Sequence, residues 1–298
     1  MLTFNHRINS NVTTVREALS KSESALTDAG VDNPRLEAER LLSFALSTNR
    51  AGLLIRLRDE IDDETADRLK GLVDRRASRV PLQYITGSEE FMGLEFYVGP
   101  SVLIPRPETE LLARAAVGFL KGRISPLVAD IGAGSGCIAI SIALNAPDAT
   151  VYAVDISPDA LEIAGRNISA HAPGRVRLLK GDLLAPLADE GLSGKLDLIV
   201  SNPPYIPSGE IPGLQPEVLR EPMTALDGGI DGLDVIRRLI DVAPEFLKPG
   251  GALMMEIGYN QSEAVSGLVS ASPFLSLVSF SKDFAGIERV VIARRSQF

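Results

Sequence analysis

The chain has 298 residues, of which 45% are hydrophobic and 23% are charged, and its formal net charge at pH 7 is −9. This length and composition allow a large buried core and a second, smaller domain. No apolar run approaches the ~18 residues that a membrane span requires, and the first residues lack the apolar segment of a secretory signal. The single cysteine excludes an internal disulfide framework and favours a reducing, cytoplasmic location.

The net negative charge comes entirely from the later part of the chain. Residues 1–79 contain 13 Lys+Arg and 13 Asp+Glu, which leaves 17 basic and 26 acidic residues for 80–298. Such an acidic region repels a phosphate backbone and disfavours stable binding of nucleic acid. With only His6 and His171, the sequence offers no histidine-rich metal site and no Ser-His-Asp array.

The first 79 residues predict a small helical bundle. Thr14 and Glu17 form the pattern of a capping box, and apolar residues follow it at helical spacing. Further helices are predicted to begin at Pro34 and to cover 50–56 and 63–77. The bundle is too small and too neutral to be catalytic, so we expect it to present a macromolecular substrate.

Three arginines lie at the end of this region. Arg75, Arg76 and Arg79 are interpreted mainly as a solvated helix end, where cations favour the negative end of the helix dipole. Contact with an acidic partner is the alternative.

A hairpin is predicted after these arginines, over residues 91–98, with its turn at Met92-Gly93.

A glycine-rich turn is the first signal for a ligand. An apolar run at 128–131 predicts a buried strand, and Gly132-Ala133-Gly134-Ser135-Gly136 separate it from a helix predicted over 137–145. Alternating glycines let the backbone approach a ligand closely, with helix N–H groups facing it. The spacing is not the G-x-G-x-x-G of dinucleotide-binding oxidoreductases, and no Lys plus Ser/Thr pair follows as in a P-loop. The turn is typical of a site for the amino-acid end of S-adenosylmethionine, although an ordinary tight turn would use similar residues.

Two acidic residues follow at the positions that a nucleoside site requires. Asp155 ends a strand predicted over 150–154, about 20 residues beyond the glycines, where it can accept the ribose hydroxyls. Asp182 and Leu183 follow the strand predicted over 176–180 and suit the adenine amino group and ring face. The alternatives are that Asp155 caps the next helix and that Asp182 is a solvated loop residue.

The most informative segment is Asn202-Pro203-Pro204-Tyr205, which follows the apolar run at 198–201. Two prolines hold the backbone extended and leave their carbonyls free to accept hydrogen bonds. Asn202 adds a neutral amide oxygen and Tyr205 adds a flat aromatic face. Neutral acceptors beside a ring suit a planar –NH2 group, which is the acceptor in methyl transfer to an amide or exocyclic amine. A plain strand-to-loop turn is the alternative.

The chain resembles the bacterial peptide chain release factor N(5)-glutamine methyltransferases (the HemK/PrmC family). The resemblance covers nearly the whole length and is most specific over residues 80–260. Besides the glycine turn and Asn202 to Tyr205, it rests on segments 81–87, 103–110, 153–157 and 220–222. Ala133 departs from the pattern, because many members have threonine there.

The resemblance implies an α/β fold of class I S-adenosylmethionine-dependent methyltransferases, with a Rossmann-like seven-stranded sheet and an N-terminal helical bundle. It divides the chain into a bundle (1–79), a hairpin linker (80–106) and a methyltransferase domain (107–298). The sheet is completed by a turn at Pro249-Gly250-Gly251, a strand over 252–257 and a closing pair over 277–281 and 288–294, with the last strand antiparallel.

The implied activity is methylation of the glutamine side chain in the Gly-Gly-Gln loop of class I release factors, free or ribosome-associated, in support of translation termination. Asn202, Pro203 and Tyr205 are the expected catalytic residues, and Pro204 joins them in binding the substrate. The cofactor contacts are expected at Asp130, Gly132, Ala133, Gly134, Ser135, Gly136, Asp155, Asp182, Leu183 and Asn202.

Two other functions are compatible with parts of this pattern. An adenine amino-methyltransferase acting on DNA or RNA shares the Asn-Pro-Pro-Tyr segment, but its expected basic groove is not favoured by the charge distribution. A cofactor-sensing or ribosome-associated binding protein without turnover would need neither Asn202 nor Pro203.

Overall fold

The computed structural model describes residues 13–297. The chain divides into two compact units, with the boundary between Thr86 and Gly87. His6 lies outside the described residues. The finer boundaries expected at residues 79 and 106 stay predictions. Within 13–297, no helix has both the length and the apolar character needed to cross a membrane.

The N-terminal unit is helical, and its first helix begins at the predicted capping box. Thr14 Oγ1 accepts the Glu17 N–H at 3.3 Å, and the Glu17 carboxylate accepts the Thr14 N–H at 3.0 Å. Two short strands pair antiparallel, β1 (Thr13–Thr14) and β2 (Glu60–Ile61). The helices are α1 (Val15–Asp28), α2 (Pro34–Ala45), α3 (Arg50–Ile55), α4 (Asp63–Ala77) and α5 (Leu82–Thr86).

The arginines at the end of α4 are tied into the bundle, so the expectation of a solvated helix end is wrong for Arg76. Arg76 is buried, and its Nε donates to Glu37 Oε2 at 2.5 Å across to α2. Arg79 Nη1 donates to the Gly30 carbonyl at 2.5 Å. The buried guanidinium needs its carboxylate partner, because an unpaired buried charge is costly.

The larger unit opens with the predicted hairpin, formed by β3 (Ser88–Phe91) and β4 (Leu94–Tyr97). Met92 and Gly93 both have positive φ values, 53° and 78°, as a two-residue hairpin turn requires. The rings of Phe91 and Phe96 are buried and meet edge to face, with centroids 6.1 Å apart.

A seven-stranded sheet forms the centre of the larger unit. Its order is β10-β11-β9-β8-β5-β6-β7, and β11 runs in the opposite direction to the other six strands, as predicted. The strands are β5 (Leu127–Ile131), β6 (Thr150–Asp155), β7 (Val176–Lys180), β8 (Leu196–Ser201), β9 (Leu247–Glu256), β10 (Leu275–Lys282) and β11 (Glu288–Arg295).

Both faces of the sheet are covered, which confirms the doubly wound α/β fold. Successive side chains of β5 enter different cores, with Val128 on one face and Ala129 on the other. The helices are α6 (Thr109–Leu120), α7 (Cys137–Asn145), α8 (Pro158–His171), α9 (Ala185–Asp189), α10 (Asp234–Phe246) and α11 (Ser262–Ala271).

One prediction about β9 is wrong. Pro249-Gly250-Gly251 was expected to form a turn ahead of a strand over 252–257, whereas β9 already begins at Leu247. Leu196 of β8 pairs with Leu247 and Leu198 pairs with Ala252, so the intervening residues bulge out of the ladder. Gly250, at φ 76°, supplies the conformation that this bulge needs.

We expect Leu41→Ala to destabilise the N-terminal unit by about 2–5 kcal/mol, because the Leu41 side chain is fully buried in the bundle core. Leu36→Ala on the same helix is the matched control, since Leu36 is 40% exposed and its loss should cost less than about 1 kcal/mol. Urea unfolding followed by circular dichroism measures both. Equal losses for the two variants would contradict this packing.

Candidate active site

A cavity with a volume of about 270 Å³ lies at the carboxyl ends of β5, β6 and β8. Ligands bind at this edge of open α/β sheets. Of the predicted site residues, the lining includes Gly132, Ala133, Gly134, Ser135, Asp155, Asp182, Leu183, Asn202, Pro203 and Pro204. Asp130, Gly136 and Tyr205 are not part of the lining.

The glycine turn is shaped by hydrogen bonds within the protein. Gly132, Gly134 and Gly136 have φ values of 74°, 54° and 79°, which favour glycine. The N–H groups of Gly132, Ala133, Gly134 and Gly136 donate to acceptors of the protein itself. Within the described part of the chain, the Ser135 N–H has no acceptor, so it is the turn amide most open to a ligand.

Gly136 has a packing role beside the cavity. A Cβ atom at this position would lie 3.4 Å from the Ala164 Cβ of α8. The absence of a side chain therefore lets α7 start close against α8. Ser135 is fixed from the same helix, because Asn167 Nδ2 donates to its carbonyl at 2.9 Å.

Asp155 both supports the turn and lines the cavity. Its Oδ2 accepts the Gly134 N–H at 2.8 Å, and its Oδ1 accepts the Ser157 N–H at 2.9 Å. The cap of α8 is made by Ser157, whose Oγ accepts the Ala160 N–H at 3.2 Å. Each carboxylate oxygen of Asp155 keeps acceptor capacity for a further hydroxyl.

An arginine that the sequence analysis missed lies at the Asp182 end of the cavity. Arg238 of α10 lines the cavity, and its Nη2 lies 2.5 Å from Asp182 Oδ2. Both side chains are about half exposed, so the pair is a weak, solvent-screened contact. The two residues are 56 positions apart in the chain, and this separation left no sequence signal for the pairing. Leu183 adopts a positive φ of 49° and packs against the core beneath.

Asp130 lies behind the cavity wall rather than on it. It is completely buried, and its Oδ2 accepts the Ala139 N–H at 3.0 Å in the first turn of α7. Among the described residues, its Oδ1 has no hydrogen-bond partner. Desolvation raises the pKa of Asp130 to about 7, the charge of Asp155 adds to the rise, and the Ala139 N–H opposes it.

Cys137 is a packing residue, as predicted, although it also reaches the cavity wall. Its thiol is buried, and burial raises its pKa to about 12. A thiol with such a pKa is protonated at neutral pH and is a poor nucleophile.

Asn202 is part of the cavity lining, and its side-chain amide is only partly hydrogen-bonded. Its Nδ2 donates to Thr109 Oγ1 at 3.1 Å, which fixes the amide. Its Oδ1 is buried and has no partner within residues 13–297. Pro203 likewise receives no hydrogen bond at its carbonyl from the described residues. The site therefore holds two acceptors on adjacent residues, Asn202 Oδ1 and the Pro203 carbonyl.

Tyr205 is anchored at both its hydroxyl and its carbonyl. The hydroxyl donates to Glu256 Oε1 at 3.1 Å, and Gln261 Nε2 donates to the Tyr205 carbonyl at 2.9 Å. Burial is the main reason why the pKa of Tyr205 is raised and why that of Glu256 rises to about 7. Sequence analysis missed Glu256 and Gln261, because each is far from Tyr205 along the chain.

The irregular segment 203–232 folds back on itself and reaches the cavity. It contains three 3₁₀ turns, and Pro222, Thr224 and Ala225 contribute to the lining. Glu221 anchors it, because this buried carboxylate accepts the Ile104 N–H at 2.9 Å and pairs with Arg106. Long loops of this kind are usually functional.

The arrangement fits S-adenosylmethionine. A glycine turn at a helix N-terminus, an acid at the end of the next strand and an apolar side chain beyond it meet at one edge of a seven-stranded sheet. Fold and site together define a class I S-adenosylmethionine-dependent methyltransferase.

Comparison with known proteins narrows this class. Residues 17–87 match the PrmC N-terminal domain family, and residues 109–229 match the methyltransferase small domain family. Release factor glutamine methyltransferases from Geobacter sulfurreducens and Moorella thermoacetica are 46% and 47% identical to the chain. The alignments cover 94% and 95% of this chain and 96% and 99% of those proteins. The chain belongs to the release factor glutamine methyltransferase family.

Solved structures agree on the fold. A methyltransferase from Pyrococcus furiosus superposes with a TM-score of 0.50 at 20% identity, over 76% of this chain and 100% of that chain. At this identity the likeness concerns the fold alone.

The buried Asp130 carboxyl predicts a pH dependence of stability. Its pKa is about 7 in the folded protein against an ordinary 3.8, so the folded state retains a proton that the unfolded chain loses. This contribution to stability is complete below pH ~4 and is lost as the pH rises through about 7. Relative to the native protein, Asp130→Asn should therefore gain free energy of unfolding as the pH rises from 5 to 7, by at most about 1.4 kcal/mol per pH unit.

The measurement is urea unfolding at pH 5, 6, 7 and 8. Asp283→Asn is the control, because hydrogen bonds in the β10–β11 turn lower the pKa of Asp283. That carboxyl is ionised in both the folded and the unfolded state above pH 5. The free energy of unfolding of Asp283→Asn should therefore differ from that of the native protein by the same amount at every pH. If the free energies of unfolding of Asp130→Asn and the native protein differ by the same amount at every pH, the raised pKa of the buried Asp130 carboxyl is contradicted.

Proposed function

We propose that this protein methylates the side-chain amide nitrogen of the glutamine in the Gly-Gly-Gln loop of class I peptide chain release factors. The relatives named above are release factor glutamine methyltransferases by name. The observation that carries the proposal is the Asn202 amide in the cavity lining, whose buried Oδ1 has no donor among residues 13–297. A substrate N–H is the group that this oxygen needs.

Each residue of the Asn-Pro-Pro-Tyr segment has a place in the proposed reaction. Asn202 Oδ1 and the Pro203 carbonyl each accept one N–H of the carboxamide. These bonds fix the amide plane and increase the electron density on a weakly nucleophilic nitrogen. Neutral acceptors also stabilise the positive charge that develops on that nitrogen. Pro204 keeps the segment extended.

Tyr205 contributes its ring to the substrate side. Its hydroxyl and carbonyl are both held by hydrogen bonds, which orients the ring. In the proposal this ring packs against the planar carboxamide and excludes water. No strong base is required before transfer, because the amide proton becomes acidic once the nitrogen is methylated.

The residues proposed to hold the cofactor surround the other part of the cavity. Ser135 and its turn face the amino-acid end, Asp155 accepts the ribose hydroxyls, and Asp182 with Leu183 lies near the adenine. When bound, S-adenosylmethionine supplies an electrophilic methyl group on a sulfonium. Correct positioning of the amide then contributes most of the acceleration.

The remaining expectations concern setting and partner. A chain with one buried cysteine and a net charge of −9 suits the cytoplasm and does not attract nucleic acid. The N-terminal unit is proposed to present the release factor, free or ribosome-associated, to the cavity.

The acceptor is tested by incubating the protein with methyl-labelled S-adenosylmethionine and either a release factor or a duplex oligonucleotide. Label should enter the release factor and should be lost when its Gly-Gly-Gln glutamine is replaced by glutamate. Label in the oligonucleotide alone would instead establish an adenine amino-methyltransferase. Cofactor binding without transfer to either acceptor would establish a binding protein.

Asn202→Ala should reduce turnover at least ~100-fold, because it removes an acceptor that orients the amide and stabilises developing charge. The Kd for S-adenosylmethionine, measured by calorimetry, should change less than about threefold. Asn145→Ala lies at the opposite end of α7 from the cavity and serves as the control for effects of an Asn-to-Ala substitution on stability alone. Full activity of Asn202→Ala would reject the role given to this side chain.

A further inference from the structure

One buried side-chain amide connects three separate segments of the larger unit. It belongs to Gln261, the residue before α11, which is 6% exposed. Its Nε2 donates to the Tyr205 carbonyl at 2.9 Å and to the Gly232 carbonyl at 3.2 Å, and its Oε1 accepts the Gly258 N–H at 2.8 Å. The amide therefore joins the chain after β8, the chain after β9 and the chain before α10.

The partners of the Gln261 amide determine which of its ends faces which segment. Two backbone carbonyls need donors and one backbone N–H needs an acceptor. An amide rotated by 180° would place its oxygen against both carbonyls. Only a primary amide offers two donors and an acceptor in this arrangement, because a carboxylate of the same shape has no N–H to donate.

Glycines on two sides make room for this side chain. A Cβ atom at Gly232 would lie 2.3 Å from the Tyr205 carbonyl oxygen and 2.7 Å from Gln261 Nε2. A Cβ atom at Gly258 would lie 3.0 Å from Gln261 Oε1. The close approach of the three segments therefore depends on the absence of side chains at both positions.

The Tyr205 carbonyl is a point at which the Asn-Pro-Pro-Tyr segment can be held. Pro203 and Pro204 have no N–H groups, so they cannot donate hydrogen bonds that would fix the backbone between the ends of the segment. At its start, Ser201 pairs with Ile131 in the sheet. At its end, Gln261 binds the Tyr205 carbonyl.

We propose that Gln261 is a positioning residue that fixes the end of the Asn-Pro-Pro-Tyr segment and so keeps the Pro203 carbonyl in place for the substrate. The proposal rests on the proposed function, because this segment is the proposed binding site of the carboxamide. Gln261 is not part of the cavity lining, so it acts through Tyr205 and not on the substrate itself. Its bond to Gly232 ties the end of the irregular segment 203–232 to the same point.

Gln261→Glu is the decisive variant, because it keeps the shape and the acceptor for Gly258 and removes both donors. The carboxylate would also repel the two carbonyls. We expect kcat for a release factor to fall about 10–100-fold, since a small displacement of a positioning group has an effect of this size. The Kd for S-adenosylmethionine should stay within about threefold, because Gln261 lies outside the cavity lining. Gln215→Glu is the matched control, since Gln215 is exposed on segment 203–232 and outside that lining, and it should keep the native kcat.

Gly232→Ala tests the same contact from the opposite side. Its Cβ would displace the Tyr205 carbonyl or the Gln261 amide, so kcat should again fall about 10–100-fold with little change in the Kd for S-adenosylmethionine. Gly250→Ala is the matched control, because Gly250 has the same φ of 76° and no described atom lies within 4 Å of a Cβ there. Both variants carry the same backbone strain, and Gly250→Ala should keep kcat within about threefold of the native value.

Hydrogen–deuterium exchange provides a measurement that does not depend on activity. The Ile206 N–H donates to the Leu226 carbonyl at 3.1 Å, and the Gly228 N–H donates to the Ile206 carbonyl at 2.9 Å. Gln261→Glu should speed exchange about threefold or more in peptides that cover 205–209 and 226–234, because these bonds lose their support. Peptides from α7 should be unchanged.

The proposal is overturned if Gln261→Glu keeps the native kcat, or if Gly232→Ala and Gly250→Ala have equal kcat values. It is also overturned if the loss of kcat comes with an equal loss of S-adenosylmethionine binding, which would indicate general unfolding of the site. If Gln261→Glu does not fold, the comparison of Gly232→Ala with Gly250→Ala decides. Failure of the proposed function is distinct, because the native protein itself would then not methylate the release factor, while the exchange measurement would still test the bonds of Gln261.

Discussion

The proposed site depends on a hydrogen-bond acceptor that has no donor among residues 13–297, the buried Oδ1 of Asn202. An acceptor of this kind costs about 1–3 kcal/mol when it has no donor. The surrounding structure holds it in place: Thr109 binds the other end of the amide, and Pro203 and Pro204 restrict the backbone that follows. In the proposed function, a primary amide that enters the cavity supplies the missing donor and removes this cost.

The topology of the sheet brings this acceptor to the glycine turn. In the central pair of parallel strands, Ile131 of β5 lies beside Ser201 of β8, and the Ser201 hydroxyl donates to the Ile131 carbonyl at 2.7 Å. The turn and the Asn-Pro-Pro-Tyr segment therefore leave the sheet side by side. The next strand, β9, ends at Glu256 and supplies the carboxylate behind the cavity. The carboxyl ends of three neighbouring parallel strands, β5, β8 and β9, thus place the glycine turn, the Asn-Pro-Pro-Tyr segment and Glu256 on one edge of the sheet.

Local features of this fold could be predicted from the sequence because local physics determines them. The capping box of Thr14 and Glu17, the cap at Ser157 and the Met92-Gly93 turn follow from the residues themselves. Buried parallel strands were found from short apolar runs that end at glycine or proline.

Features that depend on distant parts of the chain could not be predicted in this way. Arg238 beside Asp182 and Glu256 behind Tyr205 require the folded sheet to bring them together. The sequence predicts Arg76 at the surface, whereas in the fold Glu37 of α2 lies against it. The bulge at Pro249 to Gly251 was misplaced because the same residues suit a turn and an irregular ladder.

The most direct test of the central claim is a crystal structure of the protein with S-adenosylhomocysteine and a Gly-Gly-Gln peptide. The account predicts that the glutamine Nε2 lies within about 2.7–3.2 Å of both Asn202 Oδ1 and the Pro203 carbonyl oxygen, with the thioether sulfur facing this nitrogen from one side of the amide plane. A glutamine side chain bound away from Asn202, or facing the asparagine –NH2 group, would contradict it.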